Sequence, residues 1–298
     1  PPMKLVTYRH DGATRLGILD ADRGRVFPAS ACVAGAPESM TQWINQYGVS
    51  VPDASFDDAK AIGLDQVTLM APIPTPGRNL MCVGKNYLAH ANEFSRSGFD
   101  RSDAKRSADA PEAPIVFTKA PSSVVGPGAR VIYPEGISEK LDYEAEVGVV
   151  IGQGGRGIRA ADAYRHVFGY VAINDVTARD LQALHRQWFI GKSLDTFCPM
   201  GPWIATADEV DPENLNVRCW VNDELRQEAN TRDLIFDIPT LIETLSAGMT
   251  LRPGDIIATG TPQGVGIGFD PPRFLQVGDR VRVAIDGLGE LVNDVTSA

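Results

Sequence analysis

The sequence predicts an α+β fold, predominantly β, with a small N-terminal α+β domain over residues 1–72 and a larger domain over 73–298. Three observations predict it. A hairpin signal opens the chain, a proline-dense stretch interrupts it near residue 72, and beyond Ile115 short β-runs alternate with turns. A length of 298 residues and a hydrophobic content of 43% suit one large domain with a small companion.

The hairpin is Lys4 to Tyr8 and Arg15 to Leu19 around Asp11-Gly12, a strong two-residue turn signal. Ser39 to Tyr47 and Asp57 to Ile62 have the pattern of short helices. Pro72, Pro74, Pro76 and Gly77 then break regular structure and set the domain boundary. Asn79 to Gly84 is apolar enough for a buried strand, and Tyr87 to Phe94 has helical character. Ser95 to Pro114 is polar, lacks apolar periodicity and is expected to be a mobile loop or lid. Further helices are expected at Ala178 to Trp188 and Ile238 to Leu245, the second stopped by Gly248.

Charge and cysteine usage narrow the function. The formal net charge of -10 argues against nucleic acid, whose phosphates attract Lys and Arg stripes. It does not exclude small anionic substrates, because a bound cation reverses the local field. No apolar segment is long enough to span a bilayer, and the first residues lack a secretory pattern. Cys32, Cys82, Cys198 and Cys219 form no CxxC pair, so neither a zinc knuckle nor a disulfide framework is signalled. A cytoplasmic location with reduced thiols is the expectation.

The sharpest local feature is Asp142 to Ile151, which alternates with period two. Ala145, Val147, Val149 and Ile151 share an apolar face; Glu144, Glu146 and Gly148 share the other. Two carboxylates that close repel, and a hard divalent cation between them relieves the repulsion. The same pattern also fits an edge strand with a solvated acidic face. Asp175 ends a second apolar run, Phe168 to Asn174, where a carboxylate can point into a cleft; it also suits simple helix capping. Thr177 is the expected N-cap of the following helix.

Five segments in this order resemble the fumarylacetoacetate hydrolase family over about the last three-quarters of the chain. They are Gly84 to Glu93, Leu141 to Glu146, Asn174 to Gln182, Gly191 to Ser193, and Gly260 to Gly266. The resemblance implies a mixed β-sandwich or β-roll, a homodimer, and Mg²⁺, Mn²⁺ or sometimes Ca²⁺ held by Glu144, Glu146 and Asp175. It implies 2-oxo or 2,4-dioxo acids as substrates, a catalytic His90–Glu93 pair, an active-site Lys192, and substrate contact by Thr261 and, more weakly, Tyr143. From the residues themselves, His90 and Glu93 share a helical face, so Glu93 can orient His90 to activate water, although the spacing also fits a surface ion pair. Arg179 and Gln182 share a face too, and Arg179 can take a carboxylate. The glycine-rich loop 259–266 lacks the Gly-Lys-Ser/Thr of a phosphate loop, which rejects nucleotide binding.

The leading expectation is hydrolysis of a C–C bond in an acylpyruvate, such as fumarylpyruvate or acetylpyruvate, giving pyruvate and a carboxylic acid. Oxaloacetate decarboxylation, keto–enol tautomerisation and hydrolysis of a 2,4-dioxo deoxy-sugar acid use the same residues. A protein that binds metal and a 2-oxo acid without turnover is the alternative from another class.

Overall fold

The computed structural model describes residues 2–100 and 110–298. The fold is α+β and predominantly β. Its larger sheet has the strand order 62–63, 25–28, 13–20, 4–10, 198–206, 167–174, 145–151, 256–258, 80–84, 115–119. A second sheet has the order 224–230, 216–221, 280–285, 289–296, 130–132.

The N-terminal hairpin forms as expected. Lys4–His10 pairs with Ala13–Asp20, and the turn residues Asp11 and Gly12 both take positive φ, 48° and 76°. Its first strand also pairs with Cys198–Thr206, with Leu5 opposite Ile204, so the larger sheet runs on across the proline-rich segment.

The strand Ala145–Ile151 is central, with Val167–Asn174 on one side and Ile256–Ala258 on the other. This removes the edge-strand alternative. Its two faces enter different cores. Ala145, Val147, Val149 and Ile151 pack with Val217, Val283 and Leu291 of the second sheet, which makes the sandwich. Val150 packs on the opposite side with Trp43, Phe94 and Trp188. The alternation in the sequence thus sends the odd-numbered residues into the sandwich and Glu144, Glu146 and Gly148 to the other face.

Several boundaries differ from expectation. The stretch 57–62 yields only a three-residue 3-10 turn, Asp58–Lys60. The helix Leu88–Arg96 absorbs Ser95 and Arg96, which were expected in the following loop; residues 101–109 of that loop lie outside the described residues. The single helix expected over 178–188 is two, Arg179–His185 and Phe189–Lys192, because Arg186 and Trp188 take positive φ between them. Thr177 is not an N-cap: its hydroxyl donates to the Asp175 carbonyl, and no side chain caps the helix.

Asn86 ties three segments behind the site together. Its buried amide donates to the carbonyls of Phe236 (2.9 Å) and Thr259 (2.8 Å) and accepts from the Phe236 amide (2.8 Å). Replacing it leaves all three backbone groups without that partner. Asn86→Ala is expected to destabilise the fold by about 2–4 kcal/mol, from partial desolvation penalties of those groups. The urea midpoint checks this; a shift worth less than about 0.5 kcal/mol, the range of ordinary surface substitutions, would refute the structural role.

Candidate active site

Three buried carboxylates converge at one end of the central strands. Glu144 immediately precedes the strand Ala145–Ile151, Glu146 lies within it, and Asp175 follows Val167–Asn174. Strand pairing sets them together: Ala145 stands opposite Asn174, and the Asp175 amide donates to the Glu144 carbonyl at 2.8 Å. The Asn174 side chain accepts from the Glu144 amide at 3.0 Å. One oxygen from each of Glu144, Glu146 and Asp175 lies within 4.8 Å of the other two.

Cations surround this cluster. Lys192 Nζ donates to Glu144 Oε2 (2.8 Å) and Asp175 Oδ2 (2.7 Å). Arg179 Nη1 reaches Glu144 Oε1 at 2.8 Å, and its Nε reaches Asp142 Oδ2 at 2.9 Å. Asp142 in turn accepts from the backbone amides of Gly266 and Ile267, at 2.7 and 3.1 Å. Lys119 Nζ donates to Asp175 Oδ1 (2.6 Å), to the Val176 carbonyl (3.0 Å) and to the Lys192 carbonyl. All of these residues are at most 4% exposed.

The electrostatics divide the three acids. Burial raises the carboxyl of Glu144, but Lys192 and Arg179 outweigh it and hold the group below the usual carboxylate range. Glu146 is pushed well up by burial and by the negative charges of Asp175 and Glu144. The charge of Lys192 and a backbone bond from the Gly260 amide at 3.1 Å compensate it only in part. Asp175 is raised by burial, against the pull of Lys119 and Lys192. Burial lowers Lys192, but Asp175 and Glu144 more than restore it, and the ammonium is held above its ordinary value.

The loop 259–266 lies along the strand end. Gly260, at φ 107°, approaches so closely that a Cβ there would lie 2.8 Å from the Asn86 Cβ. A Cβ on Gly264, at φ 103°, would fall 1.8 Å from the Arg226 carbonyl oxygen. This lets the Gly264 amide reach Glu93 Oε1 at 3.0 Å. Glu93 Oε2 stands 3.1 Å from His90 Nδ1, so the helical spacing delivers the expected pair and leaves Nε2 as the other ring nitrogen.

Glu144, His90, Arg179, Gln182, Lys192 and Thr261 all border one cavity. Arg179 Nη2 is buried and makes no hydrogen bond among the described residues. The Thr261 hydroxyl is occupied: it donates to the Ala145 carbonyl (2.9 Å) and accepts from Gln227 (2.8 Å).

Tyr143, expected more weakly to touch substrate, does not line this cavity. It is buried in the sandwich core, and its hydroxyl donates to the Gly264 carbonyl at 2.7 Å and accepts from Arg226 at 3.1 Å. The odd-even alternation that aims Glu144 at the cavity aims its neighbour away. Sequence reasoning missed Lys119 and Gln227 and named Asp142 only as a neighbour of the glutamates. A Phe-Thr-Lys strand end carries no local sign that its lysine is buried; only the pairing of distant strands does that.

Similarity to known proteins agrees with this geometry. Over 233 residues (78% of this chain and 74% of the relative) the chain is 53% identical to an oxaloacetate tautomerase of Bacillus subtilis, YisK. The structure matches a fumarylacetoacetate hydrolase of Exiguobacterium antarcticum with a TM-score of 0.86 and 42% identity, covering 99% of this chain and 100% of that one. It also matches maleylpyruvate hydrolase from Sphingobium sp. SYK-6, solved with manganese(II) and pyruvate, with a TM-score of 0.75 and 34% identity over 99% and 100% of the two chains. Residues 79–296 fit the fumarylacetoacetate (FAA) hydrolase C-terminal model, and the chain belongs to the fumarylacetoacetate hydrolase family.

Proposed function

We propose that the protein is a divalent-metal-dependent enzyme acting on small 2-oxo acids, and that keto–enol tautomerisation of oxaloacetate is its reaction. The observation that carries the metal part is the buried triad Glu144, Glu146 and Asp175. Its donors are all oxygens, which suits Mg²⁺ or Mn²⁺, and burial with the charges of Asp175 and Glu144 raises Glu146 more than Lys192 lowers it. The residues fit a hard divalent ion. Such an ion, when bound, supplies a Lewis acid for a 2-oxo oxygen.

The chain's own groups account for the rest. Tautomerisation takes a proton from C3 of the keto acid and places one on the 2-oxo oxygen, or the reverse, with no net gain or loss. His90 Nε2 holds the proton exchanged at C3, with Glu93 fixing the ring through Nδ1. Lys192 uses two of its three ammonium protons on Glu144 and Asp175, which leaves one for the substrate oxygen that becomes negative. Arg179 Nη2 and Gln182 supply donors for a substrate carboxylate. The preference for oxaloacetate rests on the similarity to the Bacillus tautomerase.

A second reading is acylpyruvate hydrolysis. The oriented His90–Glu93 pair favours it, since attack by water needs a base, and so does the likeness to a maleylpyruvate hydrolase. Under either reading a homodimer is proposed, with exposed Leu184, Phe189 and Ile190 as apolar surface for a partner to cover. Sedimentation at micromolar concentration checks it, and a monomer there would refute it.

The direct test follows loss of enol absorbance from oxaloacetate with Mg²⁺ or Mn²⁺, with and without chelator, while pyruvate release is assayed in parallel. Chelator-sensitive enol loss without pyruvate is expected. Decay no faster than in buffer would remove the tautomerase reading, and pyruvate from an acylpyruvate would install the hydrolase one.

Two variants probe the division of labour. Glu146→Gln keeps shape and the Gly260 bond but removes charge. A carboxyl whose folded value is raised loses folding stability as pH climbs from the ordinary carboxylate range through that raised value. Without metal, the variant should therefore be at least as stable as the parent at pH 8. Its Mn²⁺ affinity by calorimetry should fall by more than the roughly 10- to 100-fold lost when a group behind a ligand is removed. In the parent, Mn²⁺ affinity should rise with pH, with protons released on binding; pH-independent affinity would contradict Glu146 as a ligand. His90→Ala should lower kcat by about 10²- to 10⁴-fold at unchanged Mn²⁺ affinity. Loss of metal binding in that variant would mean that His90 has another role.

A further inference from the structure

The chemistry above uses only the charged half of the cavity. The other half is an aromatic wall of Phe94, Phe117 and Trp188. It stands close to the reacting groups: Lys192 Nζ lies 4.7 Å from the Phe117 ring centre, and the Arg179 guanidinium carbon lies 5.9 Å from that of Phe94.

Trp188 is the fixed centre of this wall. Its indole meets Phe94 edge-on at 5.9 Å and Phe117 at 5.3 Å. Its backbone sits at φ 61°, where a bulky side chain is rarely found. A glycine would meet that turn without strain, so the conformation alone gives no reason for tryptophan. The opposing strand end makes room for the ring. A Cβ on Gly84 would lie 2.6 Å from Trp188 Cζ3 and 3.0 Å from Cη2. The ring is thus held between a bare backbone and two aromatic neighbours, with little freedom to swing aside. The ring thereby forms a fixed wall of the cavity that His90, Arg179 and Lys192 also line.

We propose that Trp188 is a specificity-determining residue: its indole closes the cavity beyond a short 2-oxo acid and excludes 2,4-dioxo acids with long acyl chains. The inference rests on the 2-oxo acid reading of the site. The indole stands beside the cationic groups, so an acyl chain running along that side would need the space that the ring fills.

The test compares the parent with Trp188→Gly, which keeps the left-handed turn, and with Trp188→Phe, which keeps an aromatic wall of smaller reach. The Mg²⁺-loaded proteins are assayed for turnover of oxaloacetate and of acylpyruvates of increasing chain length. Non-turnover 2-oxo acids of the same lengths are measured as competitive inhibitors. Trp188→Gly should raise kcat/KM for the longest substrates relative to oxaloacetate by at least about tenfold, on the scale of one methylene accommodated or refused. The change should sit mainly in KM, with a parallel fall in the inhibition constants of the long acids; Trp188→Phe should lie between. If Trp188→Gly does not fold, the same trend in Trp188→Phe decides the question. Unchanged length preference in an active parent and its variants would overturn the proposal and leave the proposed function standing. A parent inactive on, and not inhibited by, any 2-oxo acid would overturn that function and this inference with it.

Discussion

Mutual repulsion among buried carboxylates organises this molecule. Asp142, Glu144, Glu146 and Asp175 are all nearly inaccessible to water, and three cations, Lys119, Lys192 and Arg179, are buried with them. Ions taken out of water are tolerated only when paired and hydrogen-bonded. The pairing here is nearly complete for Asp142, Glu144 and Asp175. It is incomplete for Glu146, whose one close donor among the described residues is the Gly260 amide. Four acids against three bases leave Glu146 without a charge partner of its own, which is why its carboxyl is pushed up and why a divalent ion would be favoured there.

The sandwich makes such a cluster affordable. One face of the strand Ala145–Ile151 is committed wholly to apolar packing against the second sheet, so the other is free to carry charge without exposing it. The neighbouring strand places Asp175 beside Glu144 through backbone bonds alone. Lys119 arrives from the edge of the same sheet, three strands beyond Ala145–Ile151, and Lys192 from the short helix after the strained turn. Because each group comes from a different element, the site exists only when the long-range sheet pairing is complete.

That dependence explains what the sequence discloses. Glu144, Glu146 and Asp175 are legible because a period-two pattern and a strand-to-helix junction are local features. His90 and Glu93 are legible because three residues on one helix define a face. Tyr143 packs in the sandwich core, as the same alternation, applied strictly, puts it on the apolar side with Ala145. Lys119 had no local signal at all, since the acceptors that explain it are 56, 57 and 73 residues away in the chain. The single helix expected over 178–188 failed for another reason: Arg186 and Trp188 take positive φ, which propensity favours at neither, and Trp188 is held by its ring contacts with Phe94 and Phe117.

The two lysines also show how packing separates support from chemistry. Lys119 gives all three ammonium protons to protein acceptors and does not border the cavity, so turning toward a ligand would strip a carboxylate and two carbonyls of their donor. Lys192 borders the cavity and has one proton to spare. A cation that drew Glu144 and Asp175 toward itself would loosen the Lys192 bonds further, while Lys119 kept its grip on the other oxygen of Asp175. Lys192 would then be the lysine able to turn toward a ligand, while Lys119, with every proton engaged, would keep Asp175 in place.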